Sequence, residues 1–256
     1  MTATRLPIRR LPDGRAALNL GCSDRIAAGW NNVDFSWLLR LGRHPLLCAL
    51  LHRTGMLSDQ RYKRVRKLDA EMVVWDLRKG IPYADGAFDV VYHSHLLEHI
   101  DREDASVFLR ECGRVLAPSG ILRIVVPDLE RLARRYIHAL DEIDAAGMRG
   151  VRTQALHDMI DQMIVRTPTY RRNQPMLVRL LEHVFIGDTA RAGILHRWMY
   201  DRISLQELLE SSGFAQVRIQ AHSSSQVAGW NEFLLDVEVD GNSYKADSLY
   251  VEATRA

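Results

Sequence analysis

Cysteine is scarce in this chain: 256 residues contain three, Cys22, Cys48 and Cys112. An odd count without paired spacing excludes a disulfide framework and a cysteine-built metal cluster. Long apolar runs are missing too. No stretch reaches about 18 uninterrupted apolar residues, so none reads as a transmembrane helix. The first residues, "MTATRLPIRRLPDGR", lack the apolar centre of a secretory signal. These absences point to a reducing, cytoplasmic setting. Charge excess is also lacking, with a net +2 from 34 basic and 32 acidic residues. So near a balance does not call for a polyanion, and no nucleic-acid partner is expected.

What is present is an α/β pattern. The chain is 47% hydrophobic, enough for one domain with a full core. "AALNL" (Ala16–Leu20), "NNVDF" (Asn31–Phe35) and "MVVW" (Met72–Trp75) read as short strands. "AFDVVYH" (Ala87–His93) and "ILRIVV" (Ile121–Val126) are β-branched and bounded by Gly or Pro. Between them Ala105, Phe108, Leu109, Cys112, Val115 and Leu116 recur at helical spacing, with Asp101 available as N-cap. Strand, helix, strand makes a right-handed βαβ unit with parallel strands. Three apolar helical stripes follow Pro127: Leu129–Leu140, Leu156–Ile164 and Met176–Phe185. "SLQE" (Ser204–Glu207) reads as a capping box, Gly213 as a helix stop, and "VRIQ" and "SLYVEA" as last strands. The fold expected is Rossmann-like, a mainly parallel seven-stranded sheet with helices on both faces. Segments 36–70 and 129–195 interrupt the alternation as helical insertions that would form a lid.

In an open parallel sheet, ligands bind beyond the carboxyl ends of the strands. Gly21 stands at the end of the first strand and Asp34 at the end of the second. The glycine lets a ligand approach the backbone, and the acid suits the two hydroxyls of a ribose. A dinucleotide fold needs G-x-G-x-x-G, a full helix, and the acid about 20 residues on. Here Ser23 replaces the second glycine, the third is absent, and Asp34 follows Gly21 by 13 residues. The eight residues Asp24–Asn31 allow at most about 12 Å of helix. That stub is a poor pyrophosphate cradle. NAD and FAD are disfavoured, and an adenosine cofactor without phosphates fits better.

"LNLGCS…NNVD", "WDLRKGIPYADGAFDVVYHSHLLEHI" and "ECGRVLAPSGILRIVVPD" resemble the successive motifs of class I S-adenosylmethionine-dependent methyltransferases. The likeness is nearest to the bacterial branch found beside surface-polysaccharide genes, and it covers roughly half the chain. It implies S-adenosylmethionine as cofactor, with Gly21 and Cys22 along its methionine part, Asp34 on the ribose, Asp76 and Leu77 at the adenine, and Ser94 closing the pocket. It also implies a small-molecule or saccharide acceptor. The departures are Ser23 and the short first crossover, which motivate an alternative: a catalytically silent module that binds adenosine ligands or scaffolds glycan assembly.

"HSHLLEHI" (His93–Ile100) contains H-x-x-E-H, the inverted zinc-protease signature. A protease needs that motif inside a long helix, whereas here it directly follows a strand. Methyl transfer chiefly needs in-line positioning, and an oxygen or nitrogen acceptor adds the need for a base. His95 and His99 are the catalytic candidates, and His196 in "HRWMY" is near enough in pattern to join them. No metal is assigned. The alternative is a metal-assisted O-methyltransferase: the stretch resembles the E-x-x-E-H of ubiquinone and small-RNA O-methyltransferases, with His95, Glu98 and His99 as ligands.

The insertions are apolar and basic. From Phe35 to Ala70 there are eight Lys or Arg against two Asp, most of them in "RYKRVRK" (Arg61–Lys67). A solvated helix face is the default reading. Nucleic-acid methylation through this run would show steep salt dependence. "LLRLGRHPLLCALLHRTGML" is expected to pack against the protein's own core, with peripheral membrane contact anchored by Trp37 as the alternative. Arg134, Arg135, Arg171 and Arg172 would suit a phosphate or carboxylate on the acceptor.

Overall fold

The computed structural model describes residues 6–23, 25–35, 41–67, 72–146, 149–163 and 196–256. Trp37, Arg171, Arg172 and the stripe Met176–Phe185 lie outside them. Seven strands form one sheet: β1 (Ala17–Leu20), β2 (Asn31–Asp34), β3 (Val73–Val74), β4 (Phe88–Ser94), β5 (Leu116–Pro127), β6 (Phe214–Gln220) and β7 (Ser248–Arg255). Their order is β3-β2-β1-β4-β5-β7-β6. The first five are joined by parallel pairings. β7 runs antiparallel to both β5 and β6. The sheet is therefore mixed: mainly parallel, as expected, with β7 alone reversed. The reversal has a simple cause: β6 and β7 are joined without a crossover helix, and a strand that returns without one pairs antiparallel.

The helices are α1 (Pro45–Arg53), α2 (Asp59–Lys67), α3 (Arg102–Val115), α4 (Leu129–Ala146), α5 (Arg149–Met163) and α6 (Arg202–Ser211). α3 buries the expected stripe, Ala105, Phe108, Leu109, Cys112 and Val115. With Leu205 and Leu209 of α6 it covers one face of the sheet over Leu18, Leu20, Val91, Leu122 and Ile124. Asp101 stands at the N-cap of α3 without a side-chain cap bond; Arg197 takes its carboxylate instead. The capping box of α6 is Asp201 with Ser204, three residues before the predicted start. β5 also begins earlier than predicted, at Leu116, because Leu116 pairs with Phe88 across a bulge.

The other face is covered differently. Ala17, Val90, Tyr92, Val125 and Tyr250 pack against Trp30, Val227, Trp230 and Leu235. The last three belong to the connection 221–247, whose helical content is the short 3₁₀ turn Trp230–Phe233. A buried ion network fastens it. Arg123 of β5, fully buried, meets Asp236 at 2.7 Å and Glu252 at 2.8 Å. Tyr92 donates to Asp236 at 2.6 Å. Burial raises the Asp236 carboxyl, and Arg123 pulls it back. A charge at such depth is tolerable only with partners this close.

Candidate functional site

The first crossover is the chain's departure from an ordinary doubly wound fold. Among the described residues of 21–30 there are turns and no helix. Gly21 has φ +63, and an added Cβ would stand 3.1 Å from a Leu96 methyl. That is a conformation glycine adopts at low cost. The Gly21 and Cys22 amides both donate to the Val33 carbonyl, at 2.8 and 3.3 Å, folding the loop back onto β2. Ser23 also takes a left-handed conformation, φ +50. Its amide donates to Asp34 Oδ2 at 2.7 Å. Asp34 thus fixes the loop at the carboxyl edge of β2.

A cavity of about 150 Å³ opens beside this loop, lined by Gly21, Ser23, Arg25, Ser94, Tyr244 and Lys245 among others. Two of these cations come from places the sequence did not flag. Arg25 is held by the Val237 carbonyl at 2.7 Å and lies over the Tyr244 ring at 3.9 Å. Lys245 arrives on the 221–247 connection, in "NSYKADS", which carries no motif or periodicity. The cavity suits one end of a ligand bearing a carboxylate, and lacks the helix N-terminus that a pyrophosphate would use.

Of the expected cofactor residues, Gly21 and Ser94 line the cavity. Asp34 joins it through Ser23. Cys22 is turned away, buried with Met72 and against Ile26 and Val74. Asp76 and Leu77 do not line the cavity. They lie after β3, two strands from β1 on the same sheet edge, and the Trp75 amide bonds the Asp34 carbonyl at 3.0 Å. Asp76 caps the turn Leu77–Lys79 and grips Arg78 at 2.8 Å, which holds its carboxyl below the usual range.

Beyond Ser94 the chain does not continue into a helix. His95 takes φ +50, and only Leu97–His99 make a 3₁₀ turn. His95, Glu98 and His99 therefore do not share a helix face, yet His95 still meets Glu98. His95 Nε2 meets Ser248 Oγ at 3.0 Å, and its Nδ1 lies 3.1 Å from Glu98 Oε1. Glu98 is fully buried. Burial pushes its carboxyl up, but the His95 contact and the charges of His95 and His99 outweigh that, leaving it lowered. Burial pushes His95 down, with Glu98 opposing. Both Glu98 oxygens lack a partner with hydrogen-bond geometry among the described residues, the His95 approach included.

His196 completes the group. The amides of Arg197 and Trp198 both donate to the Glu98 carbonyl, at 2.7 and 3.3 Å. Arg197 pairs with Asp101, and Arg102 lies over the Trp198 ring at 4.4 Å. These clamps set His196 Nε2 3.9 Å from Glu98 Oε1. Its ring centroid is 4.8 Å from that of His99. Among the described residues no helix is long and apolar enough to cross a membrane.

Residues 35–124, about a third of the chain, match the family model described as a methyltransferase domain. Probable S-adenosylmethionine-dependent methyltransferases of two Mycobacterium tuberculosis strains are each 35% identical over 68 residues. Those residues are 27% of this chain and 22% of each relative's length. Solved structures with similarity include a SAM-dependent methyltransferase from Archaeoglobus fulgidus, 15% identical with TM-score 0.41, covering 94% of this chain and 86% of that one. The apo form of the S-adenosylmethionine-dependent methyltransferase SibL has TM-score 0.43 at 13% identity, covering 94% and 50%.

Proposed function

We propose, for a chain that carries a class I S-adenosylmethionine-dependent methyltransferase domain, that it transfers the sulfonium methyl group to an oxygen of a saccharide or saccharide precursor. The observation that carries the reading is the gathering of Gly21, Ser23, Asp34 and Ser94 at the carboxyl ends of β1, β2 and β4. In this reading the methionine end of the cofactor enters the cavity. Its carboxylate meets Lys245, with Arg25 behind, where other doubly wound proteins present a helix N-terminus. The ribose hydroxyls lie on Asp34, and the adenine extends toward Leu77 and Asp76. A cavity of about 150 Å³ holds only the methionine end, so the nucleoside lies outside it, on the side of β2 and β3.

Catalysis then asks little more than alignment. The acceptor oxygen must stand within about 3–3.5 Å of the methyl carbon, opposite sulfur, with water excluded. His95 and His99 stand on that side, directly beyond Ser94. In this reading the described helices of the insertions, α1, α2, α4 and α5, would serve as the cover that excludes water and selects the acceptor. The saccharide rests on the motif likeness to the branch found beside surface-polysaccharide genes. Apolar residues exposed on α1 add a peripheral membrane contact near lipid-linked precursors.

Calorimetry with S-adenosylmethionine and its demethylated product tests the core of the reading. Micromolar binding is expected, weakened at least tenfold by Asp34→Ala. No binding of either ligand would end it and leave a silent module.

A further inference from the structure

From the Glu98, His99 and His196 cluster we infer that this protein holds a divalent transition-metal ion beside the acceptor position. One ligand atom from each residue lies within 4.8 Å of the others. Glu98 is 0% exposed, and neither carboxylate oxygen has a partner with hydrogen-bond geometry among the described residues. A carboxylate buried in that way is expensive unless a cation meets it. The neighbouring cationic side chains are spent elsewhere: Arg197 on Asp101 and Arg102 on the Trp198 face. What faces Glu98 is imidazole, from His95 at 3.1 Å and His196 at 3.9 Å. Two imidazoles and one carboxylate select a transition ion such as Zn²⁺, Mn²⁺ or Co²⁺ over Mg²⁺.

The spacing fits with a small adjustment. Ligands about 2.1 Å from one ion stand roughly 3–3.5 Å apart, so the three side chains would draw in by about an ångström. His95 would be the orienting partner of Glu98 and not a ligand, because its Nε2 is already engaged with Ser248 at 3.0 Å. Groups that stand behind a ligand in this way orient it toward the ion.

The location gives the ion its use. Ser94 lines the cavity, and Leu96 lies against Gly21. The cluster thus flanks the cavity across one side chain. Three protein ligands leave positions open for substrate oxygens, and vicinal hydroxyls of a saccharide chelate well. Resting on the methyl-transfer reading, the step is then balanced. The hydroxyl on the ion gives its proton to solvent as the acceptor binds, before water is excluded; its oxygen then bonds the methyl carbon, and the carbon–sulfur pair stays on sulfur.

The test is Co²⁺ titration of the metal-stripped full-length chain, read by visible absorption and by metal analysis, with cofactor calorimetry run separately. One Co²⁺ per chain at micromolar affinity is expected, at least tenfold weaker in Glu98→Gln, His99→Asn and His196→Asn. His138→Ala, on exposed α4, should leave it unchanged. His95→Asn should retain the stoichiometry and weaken affinity less. The two more exposed histidines keep the test decisive should Glu98→Gln fail to fold. Absent cobalt binding, or binding indifferent to all three ligand variants, would overturn the site. Cobalt bound by a chain that ignores the cofactor would sink methyl transfer and leave the metal site standing.

Discussion

His93 shows how far a single ring can set the pH response of this protein. It is the penultimate residue of β4, fully buried, with no partner for either nitrogen among the described residues. It packs edge-on to Phe108 at 5.4 Å. Burial pushes its pKa down to about 4, with the Glu98 charge opposing. An unfolded histidine titrates near 6.5, so between about 6.5 and 4 the unfolded chain binds the proton and the native one does not. Stability contributed by His93 is therefore whole above pH 6.5 and falls as pH drops toward 4. At pH 5 the loss should be about 2 kcal/mol. Urea unfolding at pH 7 and pH 5 measures it, and His93→Leu should remove that part of the difference. An unchanged difference would mean the ring is not held neutral. Gly21 is the second sensitive position. Gly21→Ala meets a left-handed φ and a Leu96 methyl at 3.1 Å, a strain of roughly 1–2 kcal/mol. A melting temperature lower by several degrees and a weaker cofactor titration should accompany it.

Among elements, the connection 221–247 does what a first-crossover helix does elsewhere: it covers one sheet face and walls the cavity. The sequence made a curtailed helix legible, since the eight residues Asp24–Asn31 leave room for a stub at most; the described residues there form turns instead. It did not reveal the replacement. Residues 221–247 show neither 3.6 nor 2.0 periodicity, and what orders them is Arg123, 113 residues from Asp236 and 129 from Glu252. Pattern reading sees neighbours within a window and is blind to ion pairs at that separation. The same blindness hid Lys245 and Arg25, while His196 was only suspected. A consequence can be measured. Arg123→Met leaves Asp236 and Glu252 buried without their cation, at about 3–5 kcal/mol. Because the connection carries Tyr244 and Lys245, cofactor affinity should fall with stability. In contrast, Lys245→Met should lower affinity for the carboxylate-bearing cofactor about tenfold with melting unchanged. Equal melting and equal affinity in both variants would show that the connection does not wall the site.

At the scale of the molecule, alternation in the sequence yielded the sheet and the order of its elements, because half-buried strands and amphipathic helices imprint their periods locally. The direction of β7 was not legible, since pairing partners are a property of the assembled sheet. The insertion after β2 adds a surface of its own. α1 and α2 share a separate small core, Leu41, Cys48, Leu57 and Val65. That core leaves Leu46 88% exposed, Leu50 58% and Leu47 45%. Apolar side chains so presented beside the basic α2 match an anionic membrane surface, where each Lys or Arg near the lipid adds about 1 kcal/mol. Co-sedimentation with phosphatidylserine-containing vesicles is therefore expected, with little on neutral phosphatidylcholine. Leu46→Glu/Leu50→Glu should abolish it while cofactor titration stays unchanged, because neither residue lines the cavity. Binding should also weaken with salt, since the attraction is screened over about 8 Å at physiological ionic strength. Equal binding to neutral vesicles, or by the double variant, would refute lipid as the partner of this face.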